Sequence, residues 1–157
     1  MNYAEEIAKK LIKKNWQIST TESCTGGLLS SKLTDVSGSS AFIRLNLITY
    51  ANEAKQQMLK VKKETLESLG AVSEQCAFEM AKGLFELTGS DVCVSTTGIA
   101  GPTGGTKEKP VGLMFSTIYT KEKYKTYKIL LDSSIPRTEM KEKFAEEVLK
   151  NIYKFIK

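Results

Sequence analysis

The chain has 157 residues, 41% of them hydrophobic and 26% charged, with a formal net charge of +5 and no histidine. That length and balance suit a single packed domain and exclude a disordered chain. No apolar run approaches the roughly 18–20 residues that cross a bilayer. The lack of His removes Ser-His and Cys-His pairs and His metal ligands, so a hydrolytic base must be Lys, Asp, Glu, Tyr or an amino terminus.

In chain order, MNYAEEIAKKLIKK reads as an amphipathic helix, with Tyr3, Ile7, Leu11 and Ile12 on one face and Asn2 with Glu5 as a cap. It lacks a signal-peptide core and cleavage site, so a cytoplasmic location is expected. WQISTT reads as a short strand and SCTGGLLSSKLTDV as a helix broken by the GSS at 38–40. AFIRLNLITYA reads as a strand and NEAKQQMLKV as helical. GAVSEQCAFEMAKGLFELTG is a loop plus helix with Ser73 as cap and Ala77, Met80, Leu84 and Leu87 as its apolar face. SDVCVSTTG is a strand ending on hydroxyls, and GIAGPTGGTKEKPVG is the one long Gly/Pro loop. VGLMFSTIYT and KYKTYKILLD form a hairpin through Lys121 and Glu122. The last helix has Pro136 near its first turn and Met140, Phe144, Val148, Ile152 and Phe155 on one face. Helices alternating with strands, then a hairpin, predict a three-layer α/β/α sandwich with a mixed, mostly parallel sheet, as one domain over residues 1–157.

Cys24, Cys76 and Cys93 are odd in number and widely spaced, which fits neither a disulfide framework nor a zinc site. Free thiols suit a reducing compartment. No metal or other cofactor is implied. The basic excess is mostly Lys interspersed with acids, as in KEKFAEEVLKNIYKFIK. It reads as a solvated helix face, so nucleic acid is not an expected partner.

Two loops can carry chemistry, each at the carboxyl end of an expected strand, where open α/β sheets bind ligands. The first, TESCTGG, opens a helix whose N–H groups and dipole favour anions, and Gly26 and Gly27 permit close approach. The second, TTGIAGPTGG, offers an anion nest, but its Gly98, Gly101, Gly104 and Gly105 match neither G-x-G-x-x-G nor a P-loop. Ser23 is either a helix cap or a nucleophile, and Cys24 is the rival nucleophile or a small buried residue. Without His, the partner of a nucleophilic Ser is best supplied by a Lys of lowered pKa. Composition does not choose among the lysines; Lys55 stands out only by following an expected core strand in TYANEAK.

TTESCTGGLLSSKLTDVSGSSAF, TYANEAKQQMLKV, LGAVSEQCAFEMAKG and TTGIAGPTGGTKEKPVG together resemble one family closely: the CinA C-terminal domain, the nicotinamide-nucleotide amidases. The similarity runs in order from about residue 3 to the final helix. The resemblance implies hydrolysis of nicotinamide mononucleotide to nicotinic acid mononucleotide and ammonia, in pyridine-nucleotide salvage. It places the family's Ser at Ser23, its Lys at Lys55, its Tyr at Tyr50, its loop-opening Thr at Thr97 and an Arg at Arg137. On this reading Ser23 attacks the carboxamide with Lys55 as base, Thr97 relays a proton or aligns the pair, and Tyr50 orients the pair or stacks on the pyridine. N–H groups near Cys24, Thr25, Gly26, Gly27 and the 98–105 loop are candidates for an oxyanion hole or phosphate seat, with Arg137 on the phosphate. A homodimer follows from the resemblance alone. At this length the chain resembles the stand-alone amidase; a weakly catalytic nucleotide-binding module is the alternative. Leu45 and Asn46 stand where relatives often carry Gly-rich residues, and Ala51 replaces a common hydroxyl residue.

Overall fold

The apolar period at the start of the chain becomes helix α1, Tyr3–Lys14. The computed structural model describes residues 1–157. The Asn2 side chain accepts from the Glu5 N–H, and Asn15 turns left-handed to end the helix. Ile7 and Leu11 are fully buried; Ile12, at the margin of that stripe, is exposed.

Strand β1 (Ile18–Glu22) leads through a turn into α2 (Leu28–Thr34). The helix therefore begins at Leu28 rather than at Ser23, with Gly27 in a left-handed conformation at its cap. A 3-10 turn (Ser39–Ala41) precedes β2 (Ile43–Ile48), and α3 (Asn52–Leu59) follows. Next comes α4 (Lys63–Ser68), a helix the sequence pattern did not suggest. Its six residues hold one apolar side chain, Leu66, so no periodicity marks it. A tertiary partner fixes it instead: the Glu79 carboxylate accepts from the Lys62 N–H and the Thr65 hydroxyl. Glu79 belongs to α5 (Glu74–Thr88), where Ser73 accepts from the Cys76 N–H as the cap. On α5, Ala77, Met80 and Leu84 are buried, but Leu87 is exposed. Strands β3 (Val92–Gly98), β4 (Leu113–Tyr119) and β5 (Tyr124–Leu130) precede α6 (Arg137–Phe155). The anticipated face of α6, Met140, Phe144, Val148, Ile152 and Phe155, is buried throughout.

The strands form one mixed sheet in the order β2-β1-β3-β4-β5. The β2-β1-β3 half is parallel, and β4 and β5 add antiparallel pairings. Alternation along β3 builds a core on each face. Val92 and Val94 join the residues of α1, α2 and α6, while Cys93 joins Leu59 of α3 and Cys76, Met80 and Leu84 of α5. The result is a three-layer α/β/α sandwich. In register, Glu22 of β1 sits beside Ile48 of β2 and Thr96 of β3. The carboxyl ends of all three parallel strands therefore release their loops at one edge.

Candidate active site

Three loops meet at that edge around a cavity of about 260 Å³. Ser23 and Cys24 come from the turn after β1, Tyr50, Asn52 and Lys55 from the β2–α3 connection, and Thr97 and Gly98 from the end of β3. Ala71 and Val72 form one wall; Ala100, Gly101 and Gly104 of the Gly/Pro loop and Arg137 at the start of α6 close the rest.

Lys55 is the centre of the arrangement. Its side chain is 1% exposed, although Asn52, Glu53 and Met58 of the same helix are exposed. Its Nζ donates to the carbonyls of Thr49 and Tyr50, each at 2.9 Å, and lies 3.2 Å from Ser23 Oγ. Burial holds the Lys55 pKa below the ordinary lysine value, outweighing the opposite influence of Cys76 and Cys24. A neutral amine has two N–H donors and one lone pair. Two carbonyls match the donors, and the remaining direction faces the Ser23 hydroxyl.

Ser23 is itself nearly buried, and its N–H donates to the Thr96 carbonyl at 3.1 Å. It does not cap α2. Gly27 occupies the cap position, and the carboxylate of Glu22 accepts from the N–H groups of Gly27, Leu29 and Ser30. This corrects the expectation that the helix start is open to a ligand anion: an internal carboxylate already fills it. Thr25, Gly26 and Gly27 accordingly do not line the cavity. Gly105 also lies outside, packed against Val111.

Cys24 lines the cavity but is 6% exposed and packs into the larger core. Burial pushes its thiol up to about 12, against a smaller opposing effect of its hydrogen bond with Thr96. A thiol so held is protonated at neutral pH and is a poor nucleophile. The N–H groups of Cys24 and Thr25 meet no acceptor within the protein, nor do those of Ala100, Gly101, Thr103 and Gly104. Of these residues, Cys24, Thr25, Ala100 and Gly101 are buried, whereas Thr103 and Gly104 are exposed.

Thr97 lines the cavity, and its hydroxyl donates to the Ala71 carbonyl at 2.8 Å, tying down the wall opposite. The ring of Tyr50 stands exposed at the rim, while its carbonyl holds Lys55. Arg137 donates to the Gly101 carbonyl at 2.6 Å and the Tyr50 hydroxyl at 3.2 Å, so it clasps two of the three loops. Arg137 brings a permanent positive charge to the cavity and no carboxylate lines it, a balance that favours negative over positive groups there. No group of three or more Cys, Asp or Glu side chains gathers in the arrangement a metal ion needs.

Residues 1–156 match the family model described as the CinA C-terminal domain. The chain belongs to the CinA C-terminal domain family. A "Putative competence-damage inducible protein" of Clostridium novyi (strain NT) is 54% identical over 127 residues, covering 81% of this chain and 31% of that protein. A "CinA-like protein" of Chlorobium limicola is 43% identical over 157 residues, covering 97% of this chain and 36% of that protein. The chain thus spans about a third of the length of these curated relatives. Among solved structures, a competence/damage inducible protein from Agrobacterium tumefaciens superposes with a TM-score of 0.91 at 36% identity, covering 97% of this chain and 94% of that one. A competence or damage-inducible protein from Enterobacter asburiae gives 0.93 at 30% identity, covering 99% and 96%.

Within this CinA-family fold, sequence reasoning missed Asn52, Ala71 and Val72 as lining residues and Glu22 altogether, and it named Ile99, Ala100 and Thr103 only as part of the 98–105 loop. The signal for Glu22 was present in ESCTGG. It sits too far ahead of the N–H groups it meets to be read as a helix cap, so only the folded turn reveals it.

Proposed function

We propose that this cavity hydrolyses the carboxamide of nicotinamide mononucleotide to nicotinic acid mononucleotide and ammonia, a reaction of pyridine-nucleotide salvage. The observation that carries the reading is the buried Lys55 amine beside Ser23 Oγ, its two other directions taken by carbonyls. The nicotinamide nucleotide enters through the family resemblance, and the Arg137 guanidinium at the cavity wall fits its phosphate.

Ser23 Oγ attacks the carboxamide carbon as its proton passes to Lys55 Nζ. Cys24, next to Ser23 and itself in the cavity lining, offers its backbone N–H to the developing oxyanion. Lys55 returns the proton to the nitrogen, the C–N bond breaks and ammonia leaves. Water then attacks the acyl-enzyme, again giving a proton to Lys55, and the acid and free Ser23 result. Tyr50 presents its ring to the pyridine, and Arg137 with the N–H groups of the 100–104 loop takes the phosphate. Thr97 keeps the Ala71 wall in place. These steps consume only water.

One observation favours the alternative, a nucleotide-binding module of weak catalysis. A protonated Lys55 also fits its site, as three donors facing three acceptors, and in that state it accepts no proton. Ammonia release from nicotinamide mononucleotide, with nicotinamide and the dinucleotide as controls, decides between them. The amidase reading expects turnover that Ser23→Ala and Lys55→Ala abolish in folded protein. Binding of the mononucleotide without ammonia would establish the module instead. No helix is long and apolar enough to cross a membrane. A cytoplasmic homodimer is proposed on the resemblance alone, and light scattering on the purified chain tests the dimer.

A further inference from the structure

We propose that Glu22 is a positioning residue for the Ser23 nucleophile, acting through the turn of residues 23–27; the proposal rests on the amidase reading of the cavity. Glu22 ends β1, is fully buried and forms no ion pair. Its Oε1 accepts from the Thr25 hydroxyl, the Gly27 N–H at 3.2 Å and the Leu29 N–H at 2.9 Å. Its Oε2 accepts from the Ser30 hydroxyl and from the Ser30 N–H at 2.9 Å. One side chain therefore grips the middle of the turn, its end and the first turn of α2.

The grip reaches the nucleophile by a short path. The Thr25 hydroxyl that meets Glu22 also lies 2.9 Å from Thr96 Oγ1. Thr96 receives the Ser23 N–H at its carbonyl and, at 3.3 Å, at Oγ1. A helix of this kind takes its cap from a hydroxyl or carboxamide at the cap position, which Gly27 lacks. Had Ser23 or Thr25 served as that cap, its own oxygen would point to the helix N–H groups. Glu22 takes those N–H groups, leaves Ser23 Oγ facing Lys55, and leaves the Cys24 and Thr25 N–H groups without an internal acceptor. Five donors converge on this carboxylate, so a carboxamide is not an equivalent: its NH2 places donor against donor and shifts the turn.

The test is kinetic, on the full chain. Glu22→Gln and Thr25→Val are compared with wild type for kcat and KM on nicotinamide mononucleotide. The rate at which a fluorophosphonate labels Ser23 is measured in parallel. Circular dichroism and urea titration give the folded fraction. A misplacement of the reacting atom by about 1 Å lowers rate by roughly 100-fold. Folded Glu22→Gln is expected to lose about 100-fold in kcat and in labelling, with KM within about twofold; Thr25→Val is expected to lose about tenfold. A role confined to stability leaves both rates per folded molecule unchanged, and that result overturns the proposal. If Glu22→Gln does not fold, Thr25→Val decides: unchanged rates overturn, slowed rates with wild-type KM support. Labelling requires no nicotinamide substrate. Wild type that is labelled at Ser23 yet releases no ammonia defeats the amidase reading, while the labelling rates of the variants still judge Glu22.

Discussion

Replacing Lys55 with Met keeps most of the side-chain volume and deletes the amine. Loss of a general base removes about 10²–10⁴-fold in rate, so ammonia release should drop by that factor while the mononucleotide still binds. Stability is a contest of two terms at a site that is 1% exposed. The substitution leaves the Thr49 and Tyr50 carbonyls without their donor, a loss of about 1–3 kcal/mol at the buried Thr49 acceptor and less at the part-buried Tyr50 acceptor, which water can reach. It also removes a cation that burial disfavours. The first term is independent of pH and the second is not. Burial lowers the folded-state pKa of Lys55 below the ordinary 10.5. Between those two values the unfolded chain holds the extra proton, so wild-type stability rises with pH across that window. The slope is at most about 1.4 kcal/mol per pH unit for one proton. Below the window both states are protonated, and wild type bears the full cost of a buried ammonium. Urea titrations of both proteins from pH 6 to pH 10 should therefore show wild type gaining on Lys55→Met as pH rises. The wild-type rate should rise with pH as Lys55 loses its proton, with its inflection below 10.5. Parallel stability curves refute the burial argument. Turnover by Lys55→Met within about threefold of wild type refutes Lys55 as the base.

Cys24→Ala should keep its activity within about threefold, because the thiol is held protonated at a pKa of about 12 and Ala preserves the free N–H; a folded but inactive variant, with Ser23→Ala active, would transfer the nucleophile to Cys24. Arg137→Ala should raise KM for the mononucleotide by about 10- to 100-fold, since a charged hydrogen bond contributes about 1.5–3 kcal/mol and each 1.4 kcal/mol is a factor of ten. Its kcat should change less, and the phosphate-free riboside serves as the control. Gly101→Ala should destabilise the loop. The residue has φ +78°, which disfavours a Cβ by about 1–2 kcal/mol, and that Cβ would lie 2.4 Å from Val111 Cγ1. Urea denaturation measures the loss, and adding Val111→Ala should recover the clash but not the backbone strain.

The order of helices and strands was legible because each long element carries its own period. The apolar face of α6 and the Ser73 cap of α5 are local patterns, written within one turn or a few. Element boundaries were less legible where a distant side chain sets them. Helix α2 starts at Leu28 because Glu22 supplies its cap from the preceding strand. Helix α4 exists because Glu79 reaches it from α5. Exposed Ile12 and Leu87 continue the periods of buried neighbours but reach no opposing element, a fact local spacing does not contain.

By itself the sequence determined that no histidine does the chemistry, that hydroxyl- and Gly-rich turns follow two expected strands, and that the chain alternates as an α/β sandwich does. It did not choose Lys55 from among the lysines, since residue type says nothing of burial. Tertiary structure made that choice. The parallel order β2-β1-β3 brings three strand ends to one edge, and there Lys55 loses its solvent, gains two carbonyls and comes within 3.2 Å of Ser23. Desolvation and hydrogen-bond geometry are properties of packed neighbours, some of them more than thirty residues apart in the chain.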